Sequence, residues 1–172
     1  MSTETSKAER TILGHSTARA GMYLTFRLAG EEFGLEILKV REIVGFMRIT
    51  AIPKMPAYMK GMLNLRGHVI PVVDLRVRFG LPEAERTDET CIIVVDVGHD
   101  VGLVVDAVSE VLDIPADEIE PPPALQACGD TGFLMGMAKV EDQVKILLNI
   151  DKVLTSSDVA QMVSAAEDGE SE

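Results

Sequence analysis

The sequence predicts an all-β chain with short helices, folded as two small related barrels, and three observations carry that prediction. The first is an internal repeat. Residues 23–46 (YLTFRLAGEEFGLEILKVREIVGF) align without a gap on residues 91–114 (CIIVVDVGHDVGLVVDAVSEVLDI), placing Gly30, Gly34, Leu35, Val40 and Glu42 on Gly98, Gly102, Leu103, Val108 and Glu110. A second stretch, GMLNLRGHVIPVVDL (61–75), matches GMAKVEDQVKILLNI (136–150), with several extra residues in the middle of the second copy. The second observation is a series of short alternating apolar runs punctuated by Gly and Pro. The third is that no long amphipathic helices alternate with them, as a parallel α/β sheet would require. The first barrel is expected at about residues 22–84 and the second at about 85–154, with boundaries free to interleave. Residues 1–21 form a polar tail and residues 155–172 a final helix and tail. Two fused modules create a cleft between them, a natural place to bind something.

Taken in order, Leu24, Phe26 and Leu28 share one face of a strand, with Tyr23, Thr25 and Arg27 on the other. Residues 29–32 turn, and Phe33, Leu35 and Ile37 resume the inward face. In residues 38–44 the apolar spacing changes to that of a helical face, so a short helix or turn is expected. Residues 47–52 read as a strand ended by Pro53, and residues 53–67 as a connection. Residues 68–75 are a strand whose Pro71 lacks a ladder donor, which predicts an edge position or a bulge. Helical turning at 76–79 stops at Gly80, and the polar run 83–90 links the copies. Strands follow at 91–97 and 101–106, a longer loop with Pro121, Pro122 and Pro123 at 115–134, and a strand at 143–150. Ser157 can cap the last helix, whose apolar side is Val159, Met162 and Val163.

Composition narrows the function classes. The chain has 172 residues, 47% of them hydrophobic, enough for a core of Val, Ile, Leu and Met. A net charge of −12 opposes nucleic acid and anionic membrane surfaces. Cys91 opens an apolar run, Cys128 lies in a glycine-containing loop, and neither has metal spacing, which suggests a reducing cytoplasm. The N-terminus has no apolar core of signal-peptide length, and no stretch reaches transmembrane length without charges. His15, His68 and His99 have no partners at metal spacing, and neither a GxSxG elbow nor a P-loop occurs. Glu31/Glu32 and Asp117/Glu118/Glu120 read as solvated turns rather than paired acid and base, so no enzyme, cofactor or metal is expected.

One local sequence is left over: Gly61-Met62-Leu63-Asn64-Leu65-Arg66-Gly67. Gly67 suits positive φ, Asn64 can fold back on the local backbone, and Arg66 is presented between apolar neighbours. In the second copy Lys139, Val140, Glu141 and Asp142 stand in the matching places. A requirement of the fold should affect both copies alike, so this motif is read as functional. An arginine that simply bridges a nearby carboxylate is the alternative, and both can hold at once.

The blocks EEFGLEILKVREIVGF and PKMPAYMKGMLNLRGHVIPVVDLR resemble the CheW family of bacterial chemotaxis coupling proteins, from about Tyr23 to Leu154. The resemblance implies two SH3-like five-stranded barrels and no catalysis. It implies partners as well: methyl-accepting chemoreceptors, whose cytoplasmic tips such proteins link to the regulatory domain of a CheA-type histidine kinase in arrays at the inner membrane. Carried over by motif, the receptor groove would include Val40, Glu42, Gly61, Asn64, Arg66 and Ile92, and a kinase-facing surface Glu120, Ala124 and Leu125. Two other readings stay open. One is a CheW-like scaffold of another chemosensory pathway, such as surface motility. The other is a small-ligand carrier or enzyme using the inter-barrel cleft. Glu42 and Arg66 flank the proposed groove with opposite charge, whereas Glu110 and Glu141 match them in the second copy. An ion pair is therefore expected in the first copy only.

Overall fold

A computed structural model describes residues 21–120, 133–155, 158–162 and 164. The chain is all-β, as its sequence predicts, and its strands form two sheets. The first copy supplies β1 (Gly21–Leu28), β2 (Glu31–Glu36), β3 (Val40–Gly45), β4 (Met59–Leu65), β5 (His68–Asp74) and the one-turn helix α1 (Leu75–Arg78). The second supplies β6 (Cys91–Asp96), β7 (Asp100–Val105), β8 (Ala107–Ile114), β9 (Ile119–Glu120), β10 (Leu134–Val140), β11 (Gln143–Leu148) and α2 (Ile150–Val153).

The sheets do not divide at residues 84 and 85. The central sheet has the order β3-β6-β7-β5-β4, and the other, built from the chain's two ends, has the order β8-β1-β2-β11-β10-β9. The central sheet takes three strands from the first copy and the leading hairpin of the second, and the other takes four strands from the second copy, β9 among them, and the leading hairpin of the first. Thus β3 pairs with β6 and β8 pairs with β1. The five strands of the central sheet match the first five of the other in order, down to the parallel pairs β5–β7 and β2–β11, and β9 is a sixth strand beyond them. Because the copies share one pattern, either hairpin offers a third strand the same register. A repeat read along the chain therefore cannot say which copy a strand joins.

The exchange explains the apolar runs. In β6, Ile92 and Val94 face the interior of the central barrel with Leu63 and Val72, while Ile93 and Val95 face the other sheet. In β1, Tyr23 faces the terminal barrel's interior with Met135 and Leu147, and Leu24, Phe26 and Leu28 face the central sheet. The largest core therefore lies between the sheets. It contains a run of stacked rings, Phe26–Phe33–Phe79–Phe133, at centroid spacings of 5.8, 5.9 and 5.1 Å. Most of the space between the copies, where a cleft is expected, is filled by this core.

Several local expectations change. The helical spacing over 38–44 yields only a 3-10 turn at Ile37–Lys39, and Val40–Gly45 is strand because β6 offers it a ladder. Residues 47–52 contribute only the Thr50–Met62 bridge, and the assumed connection contains β4, its alternation broken by a register shift at Gly61. Strand β5 is internal, not an edge. Its ladder to β7 starts at Val72, so Pro71 precedes the pairing that would need its missing N–H. Glu32 is no solvated turn residue, since it holds the buried ammonium of Lys145 at 2.9 Å. Ser157 lies outside the described residues. The last helix is capped by Thr155, whose Oγ1 accepts from Asp158 N–H at 3.2 Å while Asp158 Oδ2 accepts from Thr155 N–H at 3.1 Å. Val159 and Met162 of that helix are buried in the inter-sheet core.

Candidate functional site

Strands β4 and β5 meet in a two-residue loop, with Leu65 opposite His68. Arg66 and Gly67 both have positive φ, 53° and 87°, the geometry that matches the twist of a tight hairpin. Asn64 Oδ1 accepts from Gly67 N–H at 3.0 Å. A Cβ on Gly67 would meet nothing within 4 Å, so the glycine serves the backbone angle alone. The second copy makes the same turn with Glu141 and Asp142, at φ 50° and 65°. The turn itself therefore does not demand Asn64, Arg66 or Gly67.

What the turn does with Arg66 differs. Strands β3 and β4 are the two edges of the central sheet. From the hairpin tip, an Arg66 guanidinium N–H donates to Glu42 Oε2 on β3, so the ion pair spans the seam where the rolled sheet closes. The Thr50–Met62 bridge closes the same seam, with its two N–H···O bonds at 2.8 Å. Gly61 makes this closure possible. Its φ is +145°, and a Cβ there would lie 2.0 Å from the Thr50 carbonyl oxygen. The bulge in β3 between Val40 and Glu42 turns Arg41 outward to Asp96 and Asp100, at 3.2 and 2.7 Å. Arg66 is two-thirds exposed and Glu42 one-third, and the Glu42 hydrogen bond, more than any other cause, raises the guanidinium's pKa further above its ordinary value. The expected pair is thus present, at the surface.

The remaining site candidates scatter. Asn64 is exposed at the hairpin tip, and Val40 is half-buried against the inter-sheet core. Gly61 is buried beneath Thr50, and Ile92 is fully buried inside the central barrel, so neither presents a side chain to a partner. Glu120 is exposed on β9 and paired with Lys139 at 3.0 Å. Ala124 and Leu125 lie outside the described residues. Two exposed apolar side chains flank Glu42 in the chain and were not foreseen: Leu38, 92% exposed, and Ile43. Their signal was available, since apolar residues in a charged segment that must cross between sheets have little core to enter.

Residues 22–158 match the model of the CheW-like domain. The chain belongs to the CheW-like domain family. It is 39% identical over 145 residues to the chemotaxis protein CheW of Klebsiella aerogenes, covering 84% of this chain and 87% of that one. It is 37% identical over 145 residues to the chemotaxis protein CheW of Rhizobium meliloti, covering 84% and 94%. Its fold matches the crystal structure of the scaffolding protein TtCheW from Thermoanaerobacter tengcongensis with a TM-score of 0.74 and 38% identity, over 81% of this chain and 95% of that one. As a CheW-like chain, its two sheets are the SH3-like barrels that the motifs implied.

Proposed function

We propose that this chain is a non-catalytic cytoplasmic adaptor that couples the tips of methyl-accepting chemoreceptors to the regulatory domain of a CheA-type histidine kinase. The observation that carries this reading is the Arg66–Glu42 pair at the seam of the central barrel, absent from its twin. A charge pair on a closed barrel edge, with the apolar side chains of Leu38 and Ile43 nearby in the chain, suits the face of a helical hairpin bearing both charged and apolar residues. Among the described residues no group of three or more His, Cys, Asp or Glu side chains could hold a metal, and no helix is long and apolar enough to cross a membrane. Glu120, the last residue of β9, is followed in the sequence by Pro121, Pro122 and Pro123 and belongs to the side offered to the kinase.

The test is receptor-stimulated kinase autophosphorylation reconstituted with increasing amounts of this protein. Activity should rise and saturate near equivalence. Arg66→Glu should abolish the rise while the protein still melts normally. Reversing both charges (Glu42→Arg with Arg66→Glu) should restore part of it if the pair itself is what the receptor reads. Normal coupling by Arg66→Glu overturns the role given to the seam, and nucleotide turnover by this protein alone overturns the adaptor reading.

A further inference from the structure

We propose that a groove beside Phe46, at one end of the central barrel, is a docking site for an acidic peptide segment of a partner protein that also carries an apolar side chain. The groove has a volume of about 810 Å³ and runs between the segment after β3 and the linker that precedes β6. Its floor is apolar, with Phe46 and Ile49 half-buried and Met47 exposed. Its cations are Arg48, Lys60 and Arg86, against the single carboxylate of Asp88. Neither Glu42 nor Arg66 lines it, so the inference stands apart from the receptor-facing seam.

Charge is what points to the occupant. The chain carries 28 acidic residues against 16 basic ones, and its arginines find carboxylates readily. Arg27, Arg41, Arg66, Arg76 and Arg78 each hold one. Among the described residues, Arg48 and Arg86 alone of the arginines hold none, and both line this groove. Arg86 instead lies over the Phe46 ring, its guanidinium carbon 4.2 Å from the centroid. Stacking covers one face of the guanidinium and leaves its N–H edges free for a planar carboxylate. Lys60 is held only loosely, with its ammonium 3.8 Å from Asp74. Two unsatisfied forks above an aromatic floor, in a molecule whose overall field repels anions, form a local site for carboxylates joined to an apolar group.

The probe is a fluorescein-labelled twelve-residue peptide in which Asp and Glu flank two leucines, titrated with the full chain and followed by anisotropy. Saturable binding is expected. It should weaken at least about tenfold in Arg48→Glu/Arg86→Glu, and by a similar factor between low and physiological salt. The Gln/Asn version of the peptide, and the version with serines for leucines, should each bind at least about tenfold more weakly. Circular dichroism melts of the double variant verify that its fold survives, and Arg48→Gln/Arg86→Gln repeats the measurement with a milder change. Undiminished binding by both variants overturns the site. So does competition by inorganic phosphate as strong as by unlabelled peptide, which would reduce it to a bare anion site. A gain of more than about tenfold on removal of residues 167–172 would assign the groove to the chain's own acidic tail and overturn the partner.

Discussion

The central and terminal barrels are two readings of one blueprint, and they differ in where charge is placed. Both carry a bulge in the strand that crosses between sheets, at Val40/Glu42 in β3 and opposite Thr25/Phe26 of β1 in β8. In both, a short segment closes onto an equivalent methionine, Thr50 onto Met62 and Glu120 onto Met137. At matched positions, Asp100 of the central barrel is neutralised from outside by Arg41, whereas Glu32 of the terminal barrel is neutralised from within by Lys145, which is buried where the central barrel has Ile70. At the seam, the central barrel pairs Arg66 with Glu42, while the terminal barrel has acids at both matching places and uses Lys139 with Glu120 nearby instead. What repeats is what the fold needs. What differs, at the surface of one barrel only, is free to serve a partner.

The largest expected effect concerns closure. Gly61→Ala puts a Cβ into the Thr50 carbonyl at a φ that side chains rarely adopt, and should cost about 4 kcal/mol or abolish folding. Gly30→Ala, at φ +82° but in open space, should cost only about 1–2 kcal/mol. Equal melts for the two variants would remove the closure argument.

Next comes the contrast between inner and outer neutralisation. Lys145→Ala leaves Glu32 largely buried with only Ser109 to bond, at 3.0 Å, and should lower unfolding free energy by about 3 kcal/mol. Arg41→Ala removes an exposed partner of Asp96 and Asp100 and should cost less than about 1 kcal/mol. Chemical denaturation of both variants measures the difference. Similar losses would mean that the buried ammonium does not distinguish the terminal barrel.

A third expectation depends on pH. The carboxyl of Asp106 is held below its ordinary range chiefly by the hydrogen-bonding Arg76 guanidinium, and further by the Ala29 N–H, outweighing partial burial. A carboxylate depressed in the folded state adds stability that is complete above its unfolded pKa of about 3.9 and is lost as pH falls through the folded value. Asp106→Asn should therefore lose about 1–3 kcal/mol at neutral pH and converge on the parent protein in acid. A gap that stays constant down to strongly acidic pH would point to shape rather than charge at this position.

The smallest effect on stability is reserved for the seam pair. Arg66→Ala should leave the thermal melt unchanged, since Arg66 is exposed and the Thr50–Met62 bridge closes the barrel without it. A clear fall in Tm would make the pair a clasp of the barrel and weaken its assignment to a partner.

The sequence by itself determined the fold class, the repeat, the positive-φ turn at Gly67 and the pairing of Arg66 with Glu42, but not the strand before that turn. These rest on alternation, turn chemistry and opposite charge, all local or carried by one motif. It could not show that β1–β2 and β6–β7 change places between barrels, because two copies of one pattern offer the same registers and only three-dimensional packing chooses between them. The same choice turned the supposed inter-copy cleft into the main core and made Val40–Gly45 a strand. It also buried Ile92 and Gly61, which a motif alone would leave at the surface, and brought Arg86 from a polar linker onto the ring of Phe46. Each of these is a contact between residues distant in the chain, decided by which surfaces must leave water together, and no spacing within the sequence encodes it.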